Sequence, residues 1–126
     1  MKDGLVPGLI HSQTYVTTLE MRAKQLASDI FSTPAMIGLM EYTCVLLVAP
    51  YLDENEQTVG IHVDVRHMAP TQIGQSVTVT AELLELKDSK LRFALSAVND
   101  QDVKIGEGTH GRALINTKNF ASSAPQ

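Results

Sequence analysis

Between Pro34 and Pro50 the chain carries a single charged residue, Glu41. A lone carboxylate among Met36, Ile37, Leu39, Met40, Val45 and Leu46 is costly to desolvate unless it is paired or neutralised. It reads either as a structural group that meets an arginine or caps backbone donors, or as an acid, base or nucleophile tuned by its surroundings. His67 is the second candidate. It continues the phase of Val59, Ile61, Val63 and Val65 and ends that run just before Met68, Ala69 and Pro70. That places an inward imidazole at the mouth of a cleft, the alternative being a histidine satisfied within the core. Thr33, directly before Pro34, is expected to cap the helix that follows, and its hydroxyl is also an available donor or nucleophile. Cys44 lies in the same apolar run and reads as a buried, inert thiol. His110 alternates against Val103 and Ile105 and is expected to face solvent or an interface. His62 shares an outward phase with Asp64, and His11 lies in an irregular lead-in. These histidines lack ligand spacing, so no metal site is expected. The chain has no phosphate-cradling glycine loop and no serine nucleophile elbow.

The elements that must position these groups are legible in outline. Thr33 and Pro34 start a helix and Pro50 stops it, over about residues 34–49. The stretch between the prolines is 15 residues with almost no polar face. That is shorter than the roughly 17–25 residues that span a bilayer. A helix apolar all round is then expected to be enclosed by its own fold or by a dimer partner. Residues 12–20 have β-prone composition, and 21–32 have room for a short helical turn around Met21–Leu26. Residues 59–67 alternate with period two, as do 76–86, 91–97 and 103–115. The phase slips at Leu84, as in a bulge. Lys87–Lys90 reads as a hairpin turn and Asn99–Asp102 as another turn. Gly106, Gly108 and Gly111 interrupt the last strand, where close backbone approach is expected.

The 126 residues suit one domain, 1–126, with an irregular lead-in at 1–10 and a tail at 119–126. A net charge of −4 argues against a nucleic-acid partner, which needs clustered Lys and Arg. One cysteine allows no internal disulfide, which fits a reducing, cytoplasmic setting. The Met1–Leu5 segment has one Lys and no apolar run behind it, unlike a signal peptide.

A strand, an apolar helix and then a meander of four antiparallel strands specify an α+β chain of hot-dog type, a long curved antiparallel sheet wrapped around one central helix. The rival arrangement packs the helix flat on the sheet and leaves one side wet. Eight helical residues rise about 12 Å, so Thr33 and Glu41 of one chain cannot meet directly. A joint site then needs a homodimer or a dimer of dimers, with equivalent sites across an isologous interface, or a substrate long enough to bridge the two groups.

At Thr33, Gly38–Glu41, Ala49–Leu52, Val65–His67, Val77–Leu83 and Gly106–Ala113 the sequence resembles the fluoroacetyl-CoA thioesterase family of hot-dog proteins, over residues 31–116. The resemblance implies a dimeric thioesterase that hydrolyses acyl-CoA with Thr33, Glu41 and His67, with no metal and no cofactor beyond the CoA of the substrate. It also places Gly60 near the thioester and Arg112 on the last strand as substrate-binding residues. Specialised members close the acyl pocket with phenylalanines before the threonine; here Phe31 stands alone in that segment. Thioester hydrolysis is therefore implied, and fluoroacetyl selectivity is left open. The helix start is expected to polarise the thioester carbonyl through backbone N–H groups. Lys87, Lys90, Arg92 and Lys104 are candidate partners for CoA phosphates. A hydratase or dehydratase on acyl-CoA or acyl-carrier protein, and a non-catalytic acyl-CoA binder, are the competing readings.

Overall fold

Alternating apolar residues build one antiparallel sheet, and the computed structural model describes residues 1–118 of it and its helix. The strands are β1 (Ile10–Val16), β2 (Glu56–His67), β3 (Ser76–Lys87), β4 (Lys90–Asn99) and β5 (Lys104–Asn116), in the order β1-β3-β4-β5-β2. Only β3, β4 and β5 form a meander. The expected four-strand meander fails at β2, which pairs with β5 and ends up on the far edge. The link from β2 to β3 therefore crosses the sheet instead of turning a hairpin. At the β3–β4 turn, Asp88 and Ser89 both have positive φ, as a tight two-residue hairpin requires. The slip at Leu84 is a register shift between Leu83 and Glu85. The first strand begins earlier than its composition indicated. Residues 22–31 form no helix; a single 3-10 turn, Leu19–Met21, precedes them. The lead-in is tied down, with Lys2 N–H donating to the Tyr51 carbonyl and Leu5 buried. The expected tail, 119–126, lies outside the described residues.

Helix α1 (Thr33–Val48), followed by a 3-10 turn at Ala49–Tyr51, packs across one face of the sheet, against β1, β2, β3 and β4. Met36, Met40, Cys44, Leu47 and Val48 enter the core with Val77, Val79, Leu83, Phe93 and Leu95. Truncating a buried methionine such as Met40 to Ala in such a core costs about 2–5 kcal/mol. Gly106 lets α1 lie this close, since a Cβ there would meet Met36 Sδ at 2.6 Å. Full enclosure of the helix does not occur within one chain. Tyr42 is half exposed, and Ile37, Leu39, Val45 and Leu46 are only partly covered. With its 3-10 extension the apolar stretch, Thr33–Tyr51, reaches 19 residues and is long and apolar enough to cross a membrane. Here it rests on a sheet that buries one of its faces.

The helix is apolar on every side, and the sheet covers one side. Beside the uncovered part runs β2, an edge strand with Val59, Ile61 and Val63 all exposed. The expected inward face of Val59–Val65 is therefore only partly right. A register shift between Gly60 and His62 turns the strand over. Partners across an antiparallel ladder share a face. Gly60 pairs with Arg112, Val63 with His110 and His67 with Gly106, so Gly60 points at the helix, as do Val63, Val65 and His67.

Candidate active site

Two clusters surround the helix, one at its first turn and one at its middle. At the first turn the cap is Ser32, not Thr33: Ser32 Oγ accepts from Ala35 N–H at 3.1 Å. That frees the Thr33 hydroxyl, which lies 2.8 Å from His67 Nδ1. His67 closes β2, so a helix start and a strand end meet at one hydrogen bond. Phe31 supports the imidazole edge-on, with centroids 6.3 Å apart, and is itself buried. It backs the histidine and forms part of the cleft wall. His67 Nε2 is buried with no protein partner, an unusual state for a polar atom. Burial lowers the pKa of His67 below its ordinary value, so the ring is neutral at neutral pH.

The Thr33–His67 pair opens onto a cleft of about 890 Å³ whose walls include Ala23, Leu26, Phe31, Pro34 and Met68. Arg22 and Lys24 also line it. Lys87, Lys90, Arg92 and Lys104 do not; Arg92 approaches Glu85 at 3.7 Å and Lys104 is ion-paired with Glu107. The expected row of backbone donors at the helix start is largely used up. Ala35 and Met36 N–H both bond Ser32, and Pro34 has no N–H.

The second cluster forms around Glu41. Its carboxylate is 39% exposed, so it is less enclosed than an apolar helix implied. Glu41 Oε2 lies 3.8 Å from both Arg112 Nη1 and His110 Nε2, close enough for electrostatic attraction but outside hydrogen-bond reach. Gly60 makes room for it: a Cβ at that position would stand 2.7 Å from Glu41 Oε2. Arg112 is nearly buried and anchored on β2, its Nε donating to Thr58 Oγ1 at 2.8 Å and its Nη2 to the Thr58 carbonyl at 2.9 Å. Burial lowers its pKa from the usual value.

His110 corrects the sequence reading most sharply. It is fully buried, not solvent-facing. The alternation of β5 breaks near Ile105 and Gly106, which are both buried, where the pairing with β4 shifts register between Ala97 and Val98. Phase counted from Val103 and Ile105 is therefore reversed at His110. The glycines of that strand were the available signal for the break. Cys44 is buried as expected, with burial pushing its thiol up to about 12. Among the described residues no three His, Cys, Asp or Glu side chains are grouped to hold a metal ion.

The structure thus brings Thr33 to His67, and brings Glu41 to Gly60 and Arg112. It does not bring the two sets together within one chain.

Residues 13–118 match the fluoroacetyl-CoA-specific thioesterase family. The fluoroacetyl-CoA thioesterase of Streptantibioticus cattleyicolor is 36% identical over 135 aligned positions, covering 100% of this chain and 96% of its own. A solved structure of a fluoroacetyl-CoA thioesterase superposes with a TM-score of 0.89 at 34% identity, covering 98% of this chain and 100% of that one. A variant of that enzyme in complex with fluoroacetate and CoA gives 0.86 at 35% identity, over 92% and 99% of the two chains. A Thermus thermophilus thioesterase-superfamily protein shares the fold at 22% identity, with a TM-score of 0.88 over 95% and 90%. The matched span takes in both clusters, and the chain belongs to the fluoroacetyl-CoA-specific thioesterase family.

Proposed function

We propose that the protein hydrolyses a small acyl-CoA thioester at a site shared between two subunits, with Thr33 and His67 from one and Glu41 from the other. The observation that carries this reading is the Thr33–His67 hydrogen bond at the mouth of a cleft, with the reactive carboxylate held elsewhere in the same chain. The family membership supports the thioester chemistry, and the relative named above acts on fluoroacetyl-CoA.

A dimer through β2 supplies the missing proximity. The edge strand offers unpaired backbone groups and three exposed β-branched side chains, Val59, Ile61 and Val63. Antiparallel pairing of β2 with its own copy, about a twofold axis near Val63, sets His67 of one subunit across from Gly60 of the other. Glu41 stands against Gly60, so its carboxylate then reaches the cleft that holds Thr33 and His67. The same contact covers the partly exposed side of α1.

In this site the acyl group enters the cleft and the thioester carbonyl meets Thr33. Glu41 supplies the carboxylate, as base toward water or as nucleophile. A water oxygen ends on the carbonyl carbon, the C–S bond breaks, and the departing CoA sulfur gains a proton through His67. The products are the free acid and CoA. Water is the second reactant, and nothing in the scheme calls for a metal or a further cofactor. His67 suits the role because it is neutral and its Nδ1 meets the Thr33 hydroxyl at the cleft.

Thiol release measured over acyl-CoA esters of rising chain length tests the proposal. Turnover of short esters is the expected result. Tight binding of CoA esters without thiol release, or hydration of an enoyl ester in its place, overturns it.

A further inference from the structure

Arginine and carboxylate groups that lie as near as Arg112 and Glu41 ordinarily close into a charge-assisted pair at about 2.7–2.9 Å. Here they stop at 3.8 Å. The guanidinium is held in place by other acceptors, which take three of its five N–H donors and fix where Nη1 stands. Two of its nitrogens are taken by Thr58. The third, Nη1, lies 3.1 Å from His110 Nε2.

The geometry fixes how His110 bonds. Its Nδ1 stands 2.7 Å from the His62 carbonyl oxygen, which only accepts, so Nδ1 carries the proton. Nε2 then offers a lone pair, and Arg112 Nη1 donates to it. Phe93 lies along the ring at a centroid distance of 6.4 Å and an angle of 28°. The His62 carbonyl belongs to the register shift of β2, so the imidazole links that irregularity to the arginine beside Glu41.

We propose that His110 is a positioning residue for thioester hydrolysis: it accepts the Arg112 Nη1 proton and so keeps Arg112 from closing onto Glu41, leaving the carboxylate's lone pairs available for the reaction. The proposal rests on reading Glu41 as the reactive carboxylate. Without the imidazole acceptor, Nη1 turns to Glu41 Oε2, and a carboxylate locked in a direct ion pair is the poorer base or nucleophile.

Two substitutions separate the roles of the two ring nitrogens. His110→Gln places an amide oxygen near the Nε2 position and keeps an acceptor for Arg112. His110→Asn places an amide N–H near the Nδ1 position and keeps the bond to His62 but offers Arg112 nothing. His110→Asn is expected to lose about 10-fold or more in kcat for thiol release, within the range for impaired acid–base catalysis, with KM nearly unchanged. The acidic limb of its kcat–pH profile moves to lower pH. His110→Gln is expected to keep most of kcat and the wild-type limb. Equal losses in both variants with an unmoved limb overturn the proposal and leave His110 a core residue. A second measurement uses the unaltered protein: nitrogen NMR of the His110 ring is expected to show Nδ1 protonated and Nε2 bare near neutral pH. The opposite tautomer overturns the proposal, whatever the variants do. Glu41→Gln, assayed alongside, separates the two claims, because near-wild-type hydrolysis there refutes the role of Glu41 itself.

Discussion

Thr33 Oγ1 lies 2.8 Å from Nδ1 of His67, a residue 34 positions further along the chain, and this bond pins the start of α1 to the end of β2. It exists because the neighbouring serine performs the capping that Thr33 was expected to perform. Capping thus falls to Ser32 and leaves the Thr33 hydroxyl to the proposed chemistry, a division that is measurable. Ser32→Ala removes the cap and is expected to cost about 1 kcal/mol of stability with thiol release largely kept. Thr33→Ala keeps the cap and is expected to leave the melting temperature nearly unchanged while lowering kcat/KM about 10²-fold. Thermal melts and thiol-release assays on the pair check this; exchanged phenotypes would return Thr33 to a structural role.

Gly60 and Gly38 make a second contrast. A Cβ at Gly60 meets Glu41 Oε2 at 2.7 Å, whereas a Cβ at Gly38, on the helix surface, meets nothing within 4 Å. Gly60→Ala is expected to displace the carboxylate and remove most activity. Gly38→Ala relieves a glycine inside a helix and is expected to stabilise by about 0.5–1 kcal/mol. Denaturant titration together with kinetics on both variants decides the matter.

Two histidines give the stability a definite pH dependence. Burial is the leading cause that lowers His67 and His110 below the ordinary value of 6.5. The unfolded chain therefore binds more protons than the folded one once the pH drops through that region. Stability is at its plateau above about 6.5 and falls as the pH is lowered through the depressed folded-state values. Unfolding free energies between pH 8 and 5 are expected to decline on the acid side, and His67→Gln is expected to flatten part of that decline. A stability that rises on acidification contradicts the assignment.

The exposed edge of β2 is expected to make the oligomeric state sensitive to charge. Ile61→Lys combined with Val63→Lys puts two cations on the edge strand, a known deterrent to strand pairing. Sedimentation is expected to show a dimer for the parent and a monomer for the double variant, with thiol release lost on dissociation. A dimer that survives both lysines places the interface elsewhere.

Much of this was legible in the sequence, for physical reasons. Period-two alternation marked the long strands, and two prolines bounded the helix to within two residues. The lone charge of that helix made Glu41 a candidate, and the end of an alternating run made His67 another. The errors trace to places where backbone geometry overrides counting. A bulge beside Gly60 reversed the phase of β2, and a break near Gly106 did the same for β5, which hid His110 from view. The pairing of β2 with β5 depends on a long-range contact that no local pattern encodes. The incomplete cover on α1 is visible only once the sheet is in place, because a helix apolar on all sides does not say which molecule covers it.

The central claim is that one working site draws Thr33 and His67 from one subunit and Glu41 from the other. Mixed dimers test it directly. His67→Ala and Glu41→Gln chains, each inactive alone, are unfolded together, refolded together and assayed for thiol release from a short acyl-CoA. In a shared-site dimer one of the two sites in every mixed pair is intact, so random assortment is expected to restore about a quarter of wild-type activity. A mixture as inactive as its two parents, with subunit exchange verified, would contradict the account and place all three groups within a single chain.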